Sequence, residues 1–138
     1  MYLPAATGEL VMDVIHAAVW VSDLKATKSF YVDELGLEHS QEFTGDDGVV
    51  NWFARGEGEG ELQFKYDPSE TRTIDPGSFD HFALAVEDTD VLVEHVVEET
   101  DGRLRQEPTT ISTEQATVRI AFVEDPDGYG IEFIQQIE

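Results

Sequence analysis

The sequence predicts an α+β domain built from two consecutive βαβββ modules, one over residues 12–66 and the other over 79–137. Two observations predict this fold class. A short segment that begins with histidine occurs twice, and each copy is followed by the same order of elements, one helix and then three strands. The chain has 138 residues, of which 41% are apolar, so residues 1–138 suffice for a single domain with a buried core.

The repeated segment reads His-Ala-Ala-Val-Trp-Val-Ser-Asp from His16 and His-Phe-Ala-Leu-Ala-Val-Glu-Asp from His81. The copies share the histidine, an alanine two residues later, a valine five later and an aspartate seven later. Runs of apolar and β-branched residues of this kind favour strands. Alternation along these strands places each histidine on the face opposite the large apolar residues, and therefore on the side away from a packed helix.

A helix follows each of these strands. Short polar side chains bond the free amides of a first helical turn, so the expected N-caps are Ser22 or Asp23 in the first module and Asp88 or Thr89 in the second. The helices end near Gly36 and Gly102. The predicted buried face of the second helix comprises Val91, Leu92, Val96 and Val97.

Three strands follow each helix and are separated by turn-forming segments. In the first module they are predicted over 37–43, 49–55 and 61–66; in the second they are predicted over 103–106 extending toward 111, 117–123 and 130–137. The segment Asp125-Pro-Asp-Gly has the residues of a tight turn before the last strand.

The charge of the chain is unusual. Thirty acidic and eight basic residues give a formal net charge of −22. Such a surface excludes nucleic acid and anionic membranes as partners, because both require clustered cations. At about 1 M salt the Debye length is roughly 3 Å, so the self-repulsion of this surface would be screened. The composition therefore predicts adaptation to molar salt.

The remaining composition narrows the class of protein further. There is no cysteine, which excludes disulfides, a thiol nucleophile and thiolate metal sites. No apolar run approaches the ~18 residues of a membrane span. The segment Met1–Glu9 has neither a basic region nor an apolar stretch, so we expect no secretory signal and a cytoplasmic protein.

Each module also carries a glutamate on its last predicted strand. Glu61-Leu-Gln-Phe in the first module is matched here with Glu132-Phe-Ile-Gln in the second. A single histidine is usually a core or edge residue, and a single glutamate in an acidic chain is usually solvated. Recurrence of both types at matched positions instead indicates a shared site. His16, Glu61, His81 and Glu132 are therefore candidate ligands of a divalent transition metal, for which Zn, Ni, Co, Mn and Fe are chemically possible.

This arrangement resembles the vicinal oxygen chelate superfamily and, within it, glyoxalase I (lactoylglutathione lyase). The segment from Ile120 to Tyr129, followed by Ile131 and Glu132, is similar to the family's C-terminal signature. The resemblance covers roughly residues 12–137. It implies one divalent metal per site, with nickel or cobalt favoured and zinc or manganese possible, and a homodimer whose sites lie between the subunits.

The resemblance also implies a reaction. The family isomerises the hemithioacetal of methylglyoxal and a thiol to a thioester, through an enediolate that the metal stabilises. By family position Glu132 is the expected base, and Glu61 is a possible second proton carrier.

Three departures from the family pattern concern the thiol. Trp20 stands where the family usually has arginine, Lys65 stands where it usually has asparagine, and 111–116 replaces a loop rich in lysine and glycine. The family uses these positions to bind glutathione. We therefore expect intact metal chemistry with altered glutathione recognition, for either a different thiol or a different acidic carbon. Trp20 and Lys65 are candidate substrate-binding residues.

Two other functions remain open. A methylmalonyl-CoA-type epimerase would share the metal ligands, although this acidic chain shows no basic patch for its nucleotide. A metal-free, drug-sequestering protein of the bleomycin-resistance kind would share the fold but would not need the four ligands. An extradiol dioxygenase fits less well, because its iron takes two histidines and one carboxylate and would leave Glu61 without a role.

Overall fold

Two four-stranded mixed sheets make up the computed structural model, which describes residues 12–138. The first module contains β1 (His16–Trp20), α1 (Leu24–Lys28) continued by a π-helical turn (Ser29–Glu34), β2 (Glu38–Thr44), β3 (Val50–Arg55) and β4 (Glu61–Tyr66). The second contains β5 (Phe82–Ala85), α2 (Thr89–Glu99), β6 (Arg103–Ser112), β7 (Thr117–Glu124) and β8 (Gly130–Gln136). The predicted βαβββ order is therefore present twice. The expectation about a signal at Met1–Glu9 lies outside the described residues.

The strand order places the last strand of each module beside its first. The orders are β1-β4-β3-β2 and β5-β8-β7-β6, and in each sheet the first and last strands of the module pair in parallel. The other neighbours are antiparallel. Paired residues of β1 and β4 consequently lie side by side on the same face of the first sheet, and paired residues of β5 and β8 do so in the second. β5 begins at Phe82, so His81 lies one residue before the strand.

Aspartates cap both helices. The Asp23 carboxylate accepts a hydrogen bond from the amide of Ala26 at 3.1 Å, and Asp88 does the same for Val91 at 3.1 Å. Of the two N-cap candidates predicted for each helix, the aspartate is the one that caps it. After the π-helical turn, Gly36 adopts a φ of 85°, a backbone conformation that glycine reaches without strain.

The predicted buried face of α2 is wrong at two positions. Val91 and Val97 are 60% and 49% exposed, while Thr89, Val93 and Val96 are buried. The buried residues follow helical spacings of four and three, whereas the predicted set paired adjacent residues that point in different directions. Leu92 is partly buried against the core, as predicted.

Both modules contribute to one apolar core. Its buried members include Phe30, Trp52 and Phe64 from the first module and Val96, Ile131 and Phe133 from the second. Polar contacts also join the modules, among them Tyr31 to Asp125, Ser22 to Asp127, Tyr129 to the carbonyl of Trp20, and His95 to Glu34. No helix within residues 12–138 has the length and apolar content needed to cross a membrane.

Candidate metal centre

The second sheet brings His81 and Glu132 together. The His81 Nε2 atom lies 3.2 Å from Oε1 of Glu132, and its Nδ1 atom lies 2.6 Å from Oδ2 of Asp80. The ring packs edge-on against Phe122, with centroids 5.1 Å apart. A carboxylate on one imidazole nitrogen fixes the ring and leaves the other nitrogen directed at a metal. Asp80 was not among the predicted site residues, although it directly precedes His81 in the sequence.

The first sheet places His16 and Glu61 opposite each other on β1 and β4. The His16 ring packs edge-on against Phe53 of β3, with centroids 5.6 Å apart. The Glu61 carboxylate accepts hydrogen bonds from the Ser40 hydroxyl and, at 3.1 Å, from the Gln41 amide, both on β2. Since β3 separates β4 from β2, the Glu61 side chain extends across the sheet, toward the strand farthest from β1.

Strand register corrects the match between Glu61 and Glu132. In the first sheet Ala18 pairs with Gln63, and in the second Ala83, the repeat partner of Ala18, pairs with Glu132. Gln63 is therefore the positional counterpart of Glu132. By the same register, the counterpart of Glu61 lies two residues earlier, at the position of Gly130. The predicted match followed the shared glutamate, whereas the pairing follows the buried residues Phe64 and Phe133.

Gln63 itself belongs to a buried hydrogen-bond chain. Its side-chain amide donates to Oδ1 of Asn51 at 2.8 Å, and the Asn51 amide donates to the carbonyl of Val49 at 3.2 Å. Only 8% of Gln63 is exposed. The sequence prediction missed this residue, although it lies on the same strand face as Glu61, two residues along.

A single copy of the chain does not assemble the four predicted ligands. His16 and Glu61 belong to the first sheet, and His81 and Glu132 belong to the second. Within residues 12–138, no group of three or more histidine, aspartate or glutamate side chains is spaced to hold a metal ion. The predicted ligands therefore form two separate pairs, one on each sheet, which are here called the first and second candidate half-sites.

An open cleft of about 760 Å³ adjoins the first half-site. Its walls include His16, Glu61, Phe53, Phe43 and Arg55. Phe43 is 52% exposed, so the cleft has an apolar as well as a charged side. A pocket of this size accommodates a small organic substrate.

The predicted substrate-binding residues lie farther along the same face. Trp20 pairs with Lys65 across β1 and β4, and the Lys65 ammonium lies 5.5 Å from the Trp20 ring centroid. Arg72, in the segment between the modules, stacks on this ring with its guanidinium carbon 3.8 Å from the centroid. Two cations thus flank the indole where the family usually has one arginine. Arg72 lies outside the strands and helices, so no periodic pattern indicated this contact.

Arg119 is not available as a further cation for substrate. Its guanidinium makes two hydrogen bonds to the Asp90 carboxylate, at 2.6 and 2.9 Å, and a third to Thr110. The ion pair with Asp90 raises the pKa of Arg119 above its usual value and lowers that of Asp90. Arg119 therefore attaches α2 to β7.

The donor atoms of the half-sites suit a divalent transition metal. Imidazole nitrogen and carboxylate oxygen are ligands that zinc, nickel, cobalt and manganese accept. In the second half-site the imidazole is already oriented by Asp80, and a carboxylate oxygen lies beside its other nitrogen. The residues present therefore fit a metal, provided that the two half-sites meet.

Comparison with known proteins confirms the predicted resemblance. Residues 13–133 match the family described as Glyoxalase/Bleomycin resistance protein/Dioxygenase superfamily. A probable lactoylglutathione lyase of Synechocystis sp. is 32% identical, with 90% of this chain and 95% of that protein aligned. A lactoylglutathione lyase of Neisseria meningitidis is 30% identical, with 91% of each chain aligned.

Solved structures of related proteins share the fold. Glyoxalase I from Zea mays superposes with a TM-score of 0.77 and 28% identity over 91% of this chain; the match spans 45% of the maize chain, so this chain is about half as long. The trypanothione-dependent glyoxalase I of Leishmania major superposes with a TM-score of 0.75 and 26% identity, covering 91% of this chain and 87% of that one.

Proposed function

The chain belongs to the Glyoxalase/Bleomycin resistance protein/Dioxygenase superfamily, and from that membership we propose that it is a glyoxalase I-like lyase. Its reaction is the isomerisation of the hemithioacetal of methylglyoxal and a thiol to a thioester. The observation that carries this proposal is the contact of His81 with Glu132, held by Asp80, in a chain aligned over nine-tenths of its length with lactoylglutathione lyases.

The proposed metal site forms between two copies of the chain. His81 and Glu132 supply one half, and His16 with a residue of β4 supplies the other. Glu61 and Gln63 both lie on the face of β4 that carries the site, so either is a candidate for that last ligand. Because each sheet carries only half of the donors, a homodimer with two equivalent sites would complete both. Nickel or cobalt is the proposed metal, with zinc or manganese as alternatives.

The carboxylate of Glu132 is proposed to move the proton. It removes the proton from the carbon bearing the sulfur and returns one to the neighbouring carbon, while the hydroxyl proton passes between the two oxygens, so atoms and electrons balance. A bound divalent cation would supply Lewis-acid stabilisation of the negative charge that develops on those oxygens. The Glu132 side chain is largely buried, and its Oε1 atom lies 3.2 Å from the oriented His81 ring.

The thiol is proposed to be bound through Trp20 and Lys65. The indole offers an apolar face, and the Lys65 ammonium offers one positive charge toward an anionic group of the thiol. Arg72, on the same ring, is already paired with the Glu70 carboxylate at 2.6 Å. Glutathione adducts carry two carboxylates, so a site in which Lys65 is the cation proposed to meet the substrate suits them less well than an arginine-rich one would.

The proposed conditions of activity are molar salt. At a net charge of −22, repulsion between two copies opposes dimerisation, and molar salt screens that repulsion. Assays are therefore designed in concentrated KCl.

The decisive experiment measures the metal content of the purified protein in about 2 M KCl, a salt concentration at which charge repulsion is strongly screened. The metal-free protein is then supplied with nickel, cobalt, zinc or manganese, and with methylglyoxal plus glutathione or a smaller thiol. We expect thioester formation that requires the metal. A protein that takes up no metal would overturn the proposal and leave a binding protein. Metal uptake without turnover of any thiol adduct would instead favour an epimerase.

A further inference from the structure

We infer that Gln63, rather than Glu61, is the residue of β4 that completes the metal site. The inference rests on the proposed function, because it concerns the metal proposed there. It makes the site asymmetric: one half supplies an imidazole and a carboxylate, and the other supplies an imidazole and a neutral amide.

The first support is the aromatic residue beside each half-site. Glu132 pairs with Phe122 across β8 and β7, and the His81 ring contacts that same phenylalanine. Gln63 pairs with Phe53 across β4 and β3, and the His16 ring contacts that phenylalanine. Each sheet therefore contains a histidine that contacts a phenylalanine, and a residue that pairs with that phenylalanine across two strands. In this arrangement Gln63 occupies the position of Glu132, whose carboxylate lies 3.2 Å from His81.

A second support comes from the position equivalent to Glu61. In the second sheet that position is Gly130, and a Cβ atom there would lie 2.5 Å from the carbonyl oxygen of Asp80. The second half-site therefore excludes any side chain at this register. A ligand supplied from the same register in both halves has to come from Gln63 and Glu132.

The buried hydrogen-bond chain fixes which atom Gln63 presents. The Asn51 amide group donates to the carbonyl of Val49, so Asn51 turns its oxygen toward Gln63. That oxygen also accepts a hydrogen bond from Lys65 at 2.8 Å. Gln63 must then use its own amide nitrogen to donate to Asn51. Its Oε1 atom remains without a protein donor among the described contacts, and a carbonyl oxygen is an acceptable metal ligand.

Glu61, by contrast, already has partners on β2. The Ser40 hydroxyl and the Gln41 amide both donate to its carboxylate, which draws the side chain across β3. Releasing it would break these hydrogen bonds, and hydrogen bonds to a charged group are stronger than those between neutral groups. Glu61 therefore forms part of the wall of the cleft.

The asymmetry has a chemical consequence. Two imidazoles, one amide and one carboxylate bring a charge of −1 to a divalent cation, whereas the set with Glu61 would bring −2. The cation then keeps a net positive charge and polarises substrate oxygens more strongly. Glu132 is left as the sole carboxylate of the ligand set, so it has to both remove and return the proton.

The test compares Gln63→Ala and Glu61→Ala with the size-matched pair Gln63→Glu and Glu61→Gln. Each full-length variant is checked for folding by circular dichroism in about 2 M KCl, where charge repulsion is screened. Nickel affinity is measured by calorimetry, and the visible absorption of the cobalt-loaded protein reports the ligand sphere. We expect Gln63→Ala to lower nickel affinity about tenfold or more and to shift the cobalt bands, as loss of a site residue does.

Glu61→Gln and Glu61→Ala are expected to leave both measurements unchanged, and Gln63→Glu to bind nickel more tightly with altered cobalt bands. If Glu61→Ala loses affinity as much as or more than Gln63→Ala does, the assignment is overturned. Should Gln63→Ala fail to fold, unaltered cobalt bands in Gln63→Glu would overturn it equally. If the wild-type protein binds metal but turns over no thiol adduct, only the proposed reaction is contradicted. The cobalt spectra of the variants still show whether Gln63 is a ligand.

Discussion

The hydroxyl of Tyr31, in the π-helical turn of the first module, donates a 2.6 Å hydrogen bond to the buried carboxyl group of Asp125, in the last turn of the second. Asp125 also accepts bonds from the amides of Asp127 and Tyr129, and only 5% of it is exposed. Burial raises the pKa of Asp125 from 3.8 to about 6, although these hydrogen bonds oppose the shift. Burial and the nearby Asp125 raise the pKa of Tyr31 above its usual value.

Asp125→Asn should change how stability depends on pH. Because the folded-state pKa is raised, the native protein binds a proton that the unfolded chain does not, between about pH 6 and 4. Asp125 therefore lowers stability above pH 6, and this cost disappears as the pH falls toward 4. Asn cannot titrate, so the wild type should gain on the order of 3 kcal/mol relative to the variant over this interval.

Denaturant unfolding at several pH values in concentrated KCl measures this difference. Asp46→Asn, at an exposed loop position, is the control and should follow the wild type. Parallel curves for wild type and Asp125→Asn would contradict the expectation.

Stability should depend steeply on salt. Thirty acidic residues against eight basic ones repel each other, and the repulsion extends farther as the Debye length grows from about 3 Å at 1 M to about 10 Å at 0.1 M. We expect the melting temperature to fall on dialysis from concentrated to dilute KCl, as followed by circular dichroism. An equal melting temperature in both buffers would refute adaptation to salt.

Glu132→Gln should separate catalysis from metal binding. The amide keeps the size of the side chain and an oxygen ligand but cannot accept the carbon-bound proton, so kcat should fall by at least about 100-fold, the scale of general base catalysis. Nickel content, measured by elemental analysis, should remain largely unchanged. Glu107→Gln, at an exposed position of β6, controls for loss of one negative charge. Undiminished turnover would remove Glu132 from its role.

Asp80→Asn should weaken the metal site without removing a ligand. Asp80 orients the His81 ring through Nδ1, and loss of such a partner costs about tenfold or more in metal affinity. Calorimetric titration with nickel measures the effect. Asp101→Asn removes a carboxylate from an exposed position elsewhere and should bind nickel as the wild type does. Equal affinities for the two variants would show that Asp80 does not position the ring.

Lys65→Met should raise KM for a glutathione adduct more than for an adduct of an uncharged thiol, with little change in kcat. The ammonium lies above Trp20 and is the charge proposed to meet the anionic group of the thiol. Steady-state kinetics with both thiols test this. Lys25→Met, at an exposed position in α1, removes the same charge and should leave both KM values alone. Equal increases for both thiols would point to a general packing defect.

Much of the fold was predictable because the two modules share both residue types at matched positions and the order of their helices and strands. Alternating apolar residues fixed the strands, and the aspartates that follow β1 and β5 are the observed helix caps. The buried face of α2 was predicted less well. Apolar residues at exposed positions such as Val91 cannot be separated from core residues by composition, because only the packing of the helix on its sheet decides.

The site shows why identity can mislead where register does not. Glu61 and Glu132 are the same residue type, and each is followed by a large apolar side chain, so an alignment by residue identity matches them. Aligning the buried Phe64 with Phe133 gives the pairing seen in the sheets. Side-chain contacts that depend on long-range geometry, such as Arg72 on Trp20, had no local signal.

The turn that contains Asp125 makes contacts that have no equivalent in the described part of the first module, although the two modules share their architecture. Tyr31, Ser22 and the carbonyl of Trp20 each find a partner within 125–129, and the counterpart segment of the first module, 56–60, makes no such contacts in the part of the chain that is described. The modules are therefore alike in architecture but not autonomous. A protein cut between them, within 67–78, should keep its halves associated, and either half produced alone should lack a complete interior.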